Sequence, residues 1–248
     1  MAGGSDSTSV TSPPRNSYFY NLIQPRMAYP IVAHLIKKEF TLELRRKSVI
    51  SGIGLYLFSL IFICYITFSL RQNSINAATW SALFWLTILF SVVNTVAKSF
   101  IGERKGLFIY MYSVVSPKAI ILSKIIYNSL LCTVLSLGGY LLFSIFIFNP
   151  VEDTLLFVTA LALTSIGFSA SLSLISGIAS KANNSNILMA VLSFPVLISI
   201  LLMAIKITKN AIDGIDRNAS MDELLNLLGI NAIAVALAYL LFPYIWRS

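Results

Sequence analysis

Long apolar runs separated by short polar stretches dominate the chain from residue 48 onward. Six of them, 48–70, 78–97, 119–148, 154–178, 187–206 and 228–246, reach the roughly twenty residues a helix needs to cross about 30 Å of hydrocarbon. None alternates with a period of two, so the pattern predicts an all-α bundle of spanning helices and not a barrel. The third run is the longest, and its first turns are expected to project beyond the membrane on the side of Lys118 and Lys124. Lys124, near that end, is expected to snorkel to the surface.

Ahead of the first run, IVAHLIKKEFTLELRRKS carries Val32, Ile36, Phe40 and Leu44 at every fourth position, with Leu35 and Leu42 beside them. That spacing predicts an amphipathic helix over 30–47 lying in the membrane interface, its basic residues among the headgroups. Glu39 and Glu43 project from the middle of the apolar stripe, four apart and like-charged. Arg46 and Lys47, three and four residues beyond Glu43, are placed to neutralise them; pairing with a basic partner surface is the alternative. Residues 1–29, rich in Ser, Pro, Gly and Asn and lacking the apolar core of a signal peptide, read as a disordered extension. Met27 offers an alternative start.

Composition agrees with the pattern. Hydrophobic residues make up 57% and charged residues 11%, about half the charged share of a soluble domain, and mean hydropathy is +0.81. A net charge of +8 would suit nucleic acid only if it formed a basic face on a soluble domain. Here the cations stand at the ends of apolar runs, where they report topology. With the N-terminus inside, 14 of the 18 Lys and Arg residues fall on the cytoplasmic side, leaving Arg71, Lys206, Lys209 and Arg217 outside. Glu152, Asp153, Asp213, Asp216, Asp222 and Glu223 also fall outside. Both termini are therefore expected in the cytoplasm, and 48–248 forms a six-span domain.

The middles of the runs contain no Asp, Glu, Arg or His, whereas ion-driven transport usually needs an ionisable group at membrane depth. Asn94, Asn128, Asn231 and scattered Ser and Thr remain, residues that commonly join helices. No phosphate-binding GxxxxGK[ST] loop, HExxH or GxSxG is present, so neither ATP hydrolysis nor another hydrolytic chemistry has visible residues. Cys64 and Cys132 lie inside apolar runs without metal-ligand spacing and read as small buried hydrophobes, and His34 beside Lys37 and Lys38 reads as a solvated surface residue. No catalytic, cofactor or metal site is predicted. Any vectorial work must be powered by another protein.

The segment 99–118 is the candidate for that connection. Gly102 and Gly106 bracket the polar tip Glu103, Arg104 and Lys105, and LFIYMYSVV then supplies two to three apolar, aromatic helical turns before Ser116-Pro117 stops them. Such a helix is too short to span. It either lies on the bilayer or docks in a groove of a soluble motor, with Glu103, Arg104, Lys105 and Gly106 at the rim, Leu107, Phe108, Tyr110, Met111 and Tyr112 buried, and Pro117 ending the segment.

An N-terminal interfacial helix, six spans and a segment of this kind between spans two and three resemble the ABC-2-type permeases. The strings KEFTLELRRK, SVVSPKAIILSKIIYNSLL, GIASKANNSNILMAVLSFPV and LFPYIWRS narrow the resemblance, over about 30–248, to the CcmB family of cytochrome c maturation permeases, in the form found in Bacteroidetes-type bacteria. The resemblance implies a non-catalytic subunit of the bacterial inner membrane, working with the ATPase CcmA, with CcmC and CcmD, and with the haem chaperone CcmE. It also implies ATP acting through the partner and haem as cargo of the complex. Two copies are expected, to match two ATPase subunits. With no His in the spans, a haem path would rest on Met, Tyr or no axial ligand. An ABC-2 exporter of lipid or polysaccharide, or a non-transporting scaffold between ATPase and CcmC, are the alternatives. The polar 207–227 stretch reads equally as a linker or as a contact for CcmC or the chaperone, with a Ser220/Glu223 capping box starting a helix at about Met221.

Overall fold

The computed structural model describes residues 28–45, 47–69, 76–96, 115–180 and 185–247. Among the described residues seven α-helices follow in order: α1 (Ala28–Arg45), α2 (Lys47–Ser69), α3 (Ala77–Val96), α4 (Pro117–Phe146), α5 (Thr154–Ala179), α6 (Ser185–Ile212) and α7 (Met221–Arg247). A 3-10 turn, Arg217–Ser220, precedes α7. No strand occurs among the described residues. Helices α2 to α7 are each long and apolar enough to cross a membrane, matching the six predicted runs.

Local chemistry sets the helix starts. Ser116 is extended, Pro117 occupies the first helical turn of α4, and the Ala119 and Ile120 amides both donate to the Ser116 carbonyl. Proline suits this place because its missing N–H would have had no partner anyway. Asp153 caps α5 by accepting from the Leu156 amide at 3.1 Å.

Two boundaries differ from the hydropathy reading. Helix α6 runs on to Ile212, since Ile207, Thr208 and Ala211 are buried against the bundle and the Thr208 hydroxyl accepts from Trp85 Nε1 at 2.8 Å. Helix α7 starts at Met221, where the capping-box pattern placed it, but with other partners. Asn210 donates to the Ser220 hydroxyl at 3.0 Å, and Glu223 pairs with Lys206 at 2.7 Å. Residues 207–227 are thus mostly packed helix and turn.

Helix α5 is the axis, packing on α4, α6 and α7. Its GFSASLSLISGIA stretch is small-residue-rich and nearly all buried, which lets neighbouring backbones come close. A Cβ at Gly167 would collide with Asn231 Oδ1, and one at Gly177 would come within 2.8 Å of Phe242. At one end of the bundle Trp80, Phe84, Phe143 and Phe157 stack and cross edge-to-face. At the other, Leu35, Ile120, Ile121, Ala170, Ala238 and Phe242 form a second apolar cluster that draws α1 onto α4 and α7. Helix α2 is peripheral, with Leu57 and Ile61 its buried residues among the described side chains. Cys132 is buried as expected, whereas Cys64 is partly exposed.

A β-branched side chain at Gly167 should wedge α5 from α7. Gly167→Val is expected to lower the thermal midpoint of the detergent-solubilised protein, at about 1–3 kcal/mol. Gly138→Ala, where nothing lies within 4 Å of the new methyl, should leave the midpoint unchanged or raise it; equal losses in both variants would contradict this account of the packing.

Candidate functional site

Three regions carry the polar chemistry: the α1 end, the opposite end and the interior. The candidate coupling residues Glu103, Arg104, Lys105, Gly106, Leu107, Phe108, Tyr110, Met111 and Tyr112 lie outside the described residues. Pro117 lies within them and sets the first turn of α4, directly after that segment. Lys118 extends over the Tyr239 ring of α7, 5.0 Å from its centroid, a cation–π contact joining α4 to α7.

One sequence expectation is corrected by the structure. Lys124 does not snorkel to a free surface: its side chain is 2% exposed, with Nζ 3.5 Å from Glu39 Oε2 of α1. Glu39 also pairs with Lys38 at 3.2 Å, so its carboxylate has partners within this chain. The physical reason is the desolvation of Lys124 beneath α1, which demands an anion. On α1 Leu35 is buried in the bundle, while Phe40, on the apolar stripe predicted to meet the membrane interface, is 47% exposed. The Glu43 side chain lies outside the described residues. His34 is exposed.

At the opposite end, the Glu152 and Asp153 amides both donate to the Ala211 carbonyl, at 3.1 and 3.0 Å. Arg217 closes the corner by donating through Nε and Nη2 to the two Asp153 carboxylate oxygens, the latter at 2.9 Å. Gly214 turns the chain with φ of 62°, and the Glu152 carboxylate occupies the space a Cβ there would need. Glu152, Asp153, Gly214, Ile215, Asp216 and Arg217 line an open cleft. The Arg217 hydrogen bonds, helped by the Leu156 amide, hold the Asp153 carboxyl down to about 2 from an ordinary 3.8.

Inside the bundle, polar groups pair across helices. Asn128 donates to the Ser173 hydroxyl at 2.8 Å, Ser169 to the Ile125 carbonyl at 2.6 Å, and Asn231 to the Leu163 carbonyl at 2.7 Å. Asn128 and Asn231 therefore join helices as their type suggested, while Asn94 is exposed. Among the described residues no group of three or more His, Cys, Asp and Glu could hold a metal ion. The arrangement holds helices together and joins their ends.

A search against family models matches residues 30–245 to the model described as CcmB protein. The chain belongs to the CcmB family. Membership makes it a multi-pass membrane permease subunit of the cytochrome c maturation ABC system, a family that works in complex with an ABC ATPase and other Ccm components. The resemblance carried by KEFTLELRRK and the other strings is thereby borne out. No match was found among curated proteins or among solved structures. The Asp153–Arg217 clasp and the Lys124–Glu39 pair escaped the sequence reading, although Asp153 immediately before the apolar run at Thr154 is a recognisable cap signal.

The clasp makes a pH prediction. Because the folded carboxyl lies below its ordinary value, its contribution is present above pH 3.8 and fades as pH falls toward about 2. Amide exchange over 211–217, corrected for intrinsic rates, should stay slow from neutral pH to about pH 4 and quicken below it. In Arg217→Gln it should be fast throughout; equally slow exchange in that variant would show that the clasp does not hold the corner.

Proposed function

We propose that this CcmB-family subunit couples ATP hydrolysis by a separate CcmA-like ATPase to haem delivery, or to release of the haem-loaded chaperone CcmE, on the outer side of the bacterial inner membrane. The observation that carries the reading is continuity. In sequence the segment Gly102 to Pro117 leads directly to α4, an unbroken helix from Pro117 to Phe146 whose far end packs Phe143 against Trp80 and Phe84. In this reading the ATPase engages Leu107, Phe108, Tyr110, Met111 and Tyr112, with Glu103, Arg104, Lys105 and Gly106 at the rim. In this reading Glu39 and Glu43 of α1 are the acids a basic partner surface would meet. Two copies serve the two ATPase subunits, CcmC and CcmD complete the membrane complex, and both termini face the cytoplasm, as the Lys and Arg distribution supports.

One observation favours a second reading, a scaffold that links the ATPase to CcmC without itself passing haem. Trp80, Phe84, Trp85, Phe143 and Phe157 fill the bundle at one end and are almost wholly buried, which supports force transmission more readily than passage through a single copy.

Truncating the two tyrosines separates docking from simple bilayer contact. Aromatic anchors concentrate binding energy, at about 2 kcal/mol or more each. Tyr110→Ala/Tyr112→Ala should release the ATPase and abolish cytochrome c maturation while membrane insertion is retained. A double variant that still co-purifies with normal ATPase and matures cytochromes would overturn the docking assignment. Topology has its own check, because Ile215 is 39% exposed: an impermeant thiol reagent on intact spheroplasts should label Ile215→Cys and spare Arg104→Cys, and the reverse pattern would invert the orientation.

A further inference from the structure

The buried pair at the α1 end calls for an explanation beyond adhesion. Lys124 lies two turns into α4, almost fully enclosed, with Glu39 as an anionic partner. Leu35 already joins α1 to an apolar cluster with Ala119, Ile120, Ile121 and Ile125. Where apolar contact is available, a buried ion pair is rarely the more stabilising choice, since desolvation offsets its Coulombic gain. What it adds is register. An apolar patch tolerates sliding, whereas a lysine buried under a helix needs a carboxylate at a fixed place.

Register matters here because of where the pair sits. Helix α4 emerges directly from Ser116-Pro117, its first amides fixed on the Ser116 carbonyl. In the same turn Lys118 rests on Tyr239, and α7 packs Phe242 against Gly177 of α5. A displacement delivered to Pro117 therefore meets α1 on one side and α7 on the other. It can be absorbed by α4 slipping past α1, or it can carry α1 along.

We propose that Lys124 and Glu39 form a positioning latch that locks α1 to the base of α4, so that the two helices move as one body when the coupling segment is displaced. The latch rests on the coupling reading given above. Neither residue touches nucleotide or haem; both act through α4.

The test uses the intact complex purified with its ATPase from membranes, reading the amount of ATPase bound, ATP hydrolysed per complex, and mature c-type cytochrome formed per ATP. Lys124→Met with Glu39→Gln removes both charges while keeping volume. It should leave ATPase binding and hydrolysis near wild type and lower cytochrome formed per ATP about fivefold or more, within the usual range of coupling factors. Leu35→Ala, which weakens only the apolar contact, should lower the amount of complex while keeping the yield per ATP. Wild-type yield per ATP in the double variant overturns the latch. If the double variant fails to accumulate, Glu39→Asp is compared with Glu39→Gln: loss in the amide alone supports the latch, and equal yields overturn it. A wild-type subunit that binds no ATPase would instead overturn the coupling reading, and the latch with it.

Discussion

The close approach of α5 to its neighbours is the constraint on which the rest of the bundle depends. In lipid the hydrophobic effect gives helices little reason to associate, because acyl chains are as apolar as leucine. Association then rests on dispersion between close surfaces and on hydrogen bonds between helices. Small residues along α5 permit both. Gly167 lets Asn231 lie on the helix and donate to the Leu163 carbonyl, and Gly177 admits the Phe242 ring. Ser169 and Ser173 reach the Ile125 carbonyl and Asn128 of α4. Bulkier residues at these places would hold α4 and α7 apart, and neither end of the bundle would close as it does.

The two ends then differ in a way that suits a coupled machine. The corner at Asp153, Ala211 and Arg217 is a clasp of backbone and charge-assisted hydrogen bonds, which fixes the α4–α5 connection to the α6–α7 turn. Among the described residues, the α1 end is held by the buried Lys124–Glu39 pair, which joins α1 to the start of α4, by the Lys118–Tyr239 contact, which joins α7, and by an apolar cluster shared by α1, α4, α5 and α7. A corner clasped by backbone hydrogen bonds and a base held by side chains, linked by the continuous helix α4, are the parts the proposed coupling would use. Such parts need no ionisable residue at membrane depth, consistent with work supplied by a partner.

The number and order of spans were legible in the sequence because a twenty-residue apolar run leaves a backbone in lipid little choice but a helix. Their ends were less legible. Lys206, Lys209 and Glu223 signalled a loop by composition, yet Lys206 and Glu223 neutralise each other and the helices continue through them. The acid within the apolar stripe of α1 was unexplained for a similar reason: its partner Lys124 is buried far along the chain. Pairs such as Lys124–Glu39 and Asp153–Arg217 join residues remote in sequence, and no local pattern encodes them. The coupling segment was legible as an apolar loop between charged boundaries, and its residues from Glu103 to Tyr112 lie outside the described part of the chain.

The most direct measurement is the covalent haem content of c-type cytochromes in cells lacking this gene, read by haem staining and reduced-state spectra of membranes beside the b-type cytochromes as internal control. A permease subunit of cytochrome c maturation predicts that c-type haem disappears, b-type cytochromes persist, and the gene supplied in trans restores the lost signal. Normal c-type haem in the deletion strain would contradict the assignment.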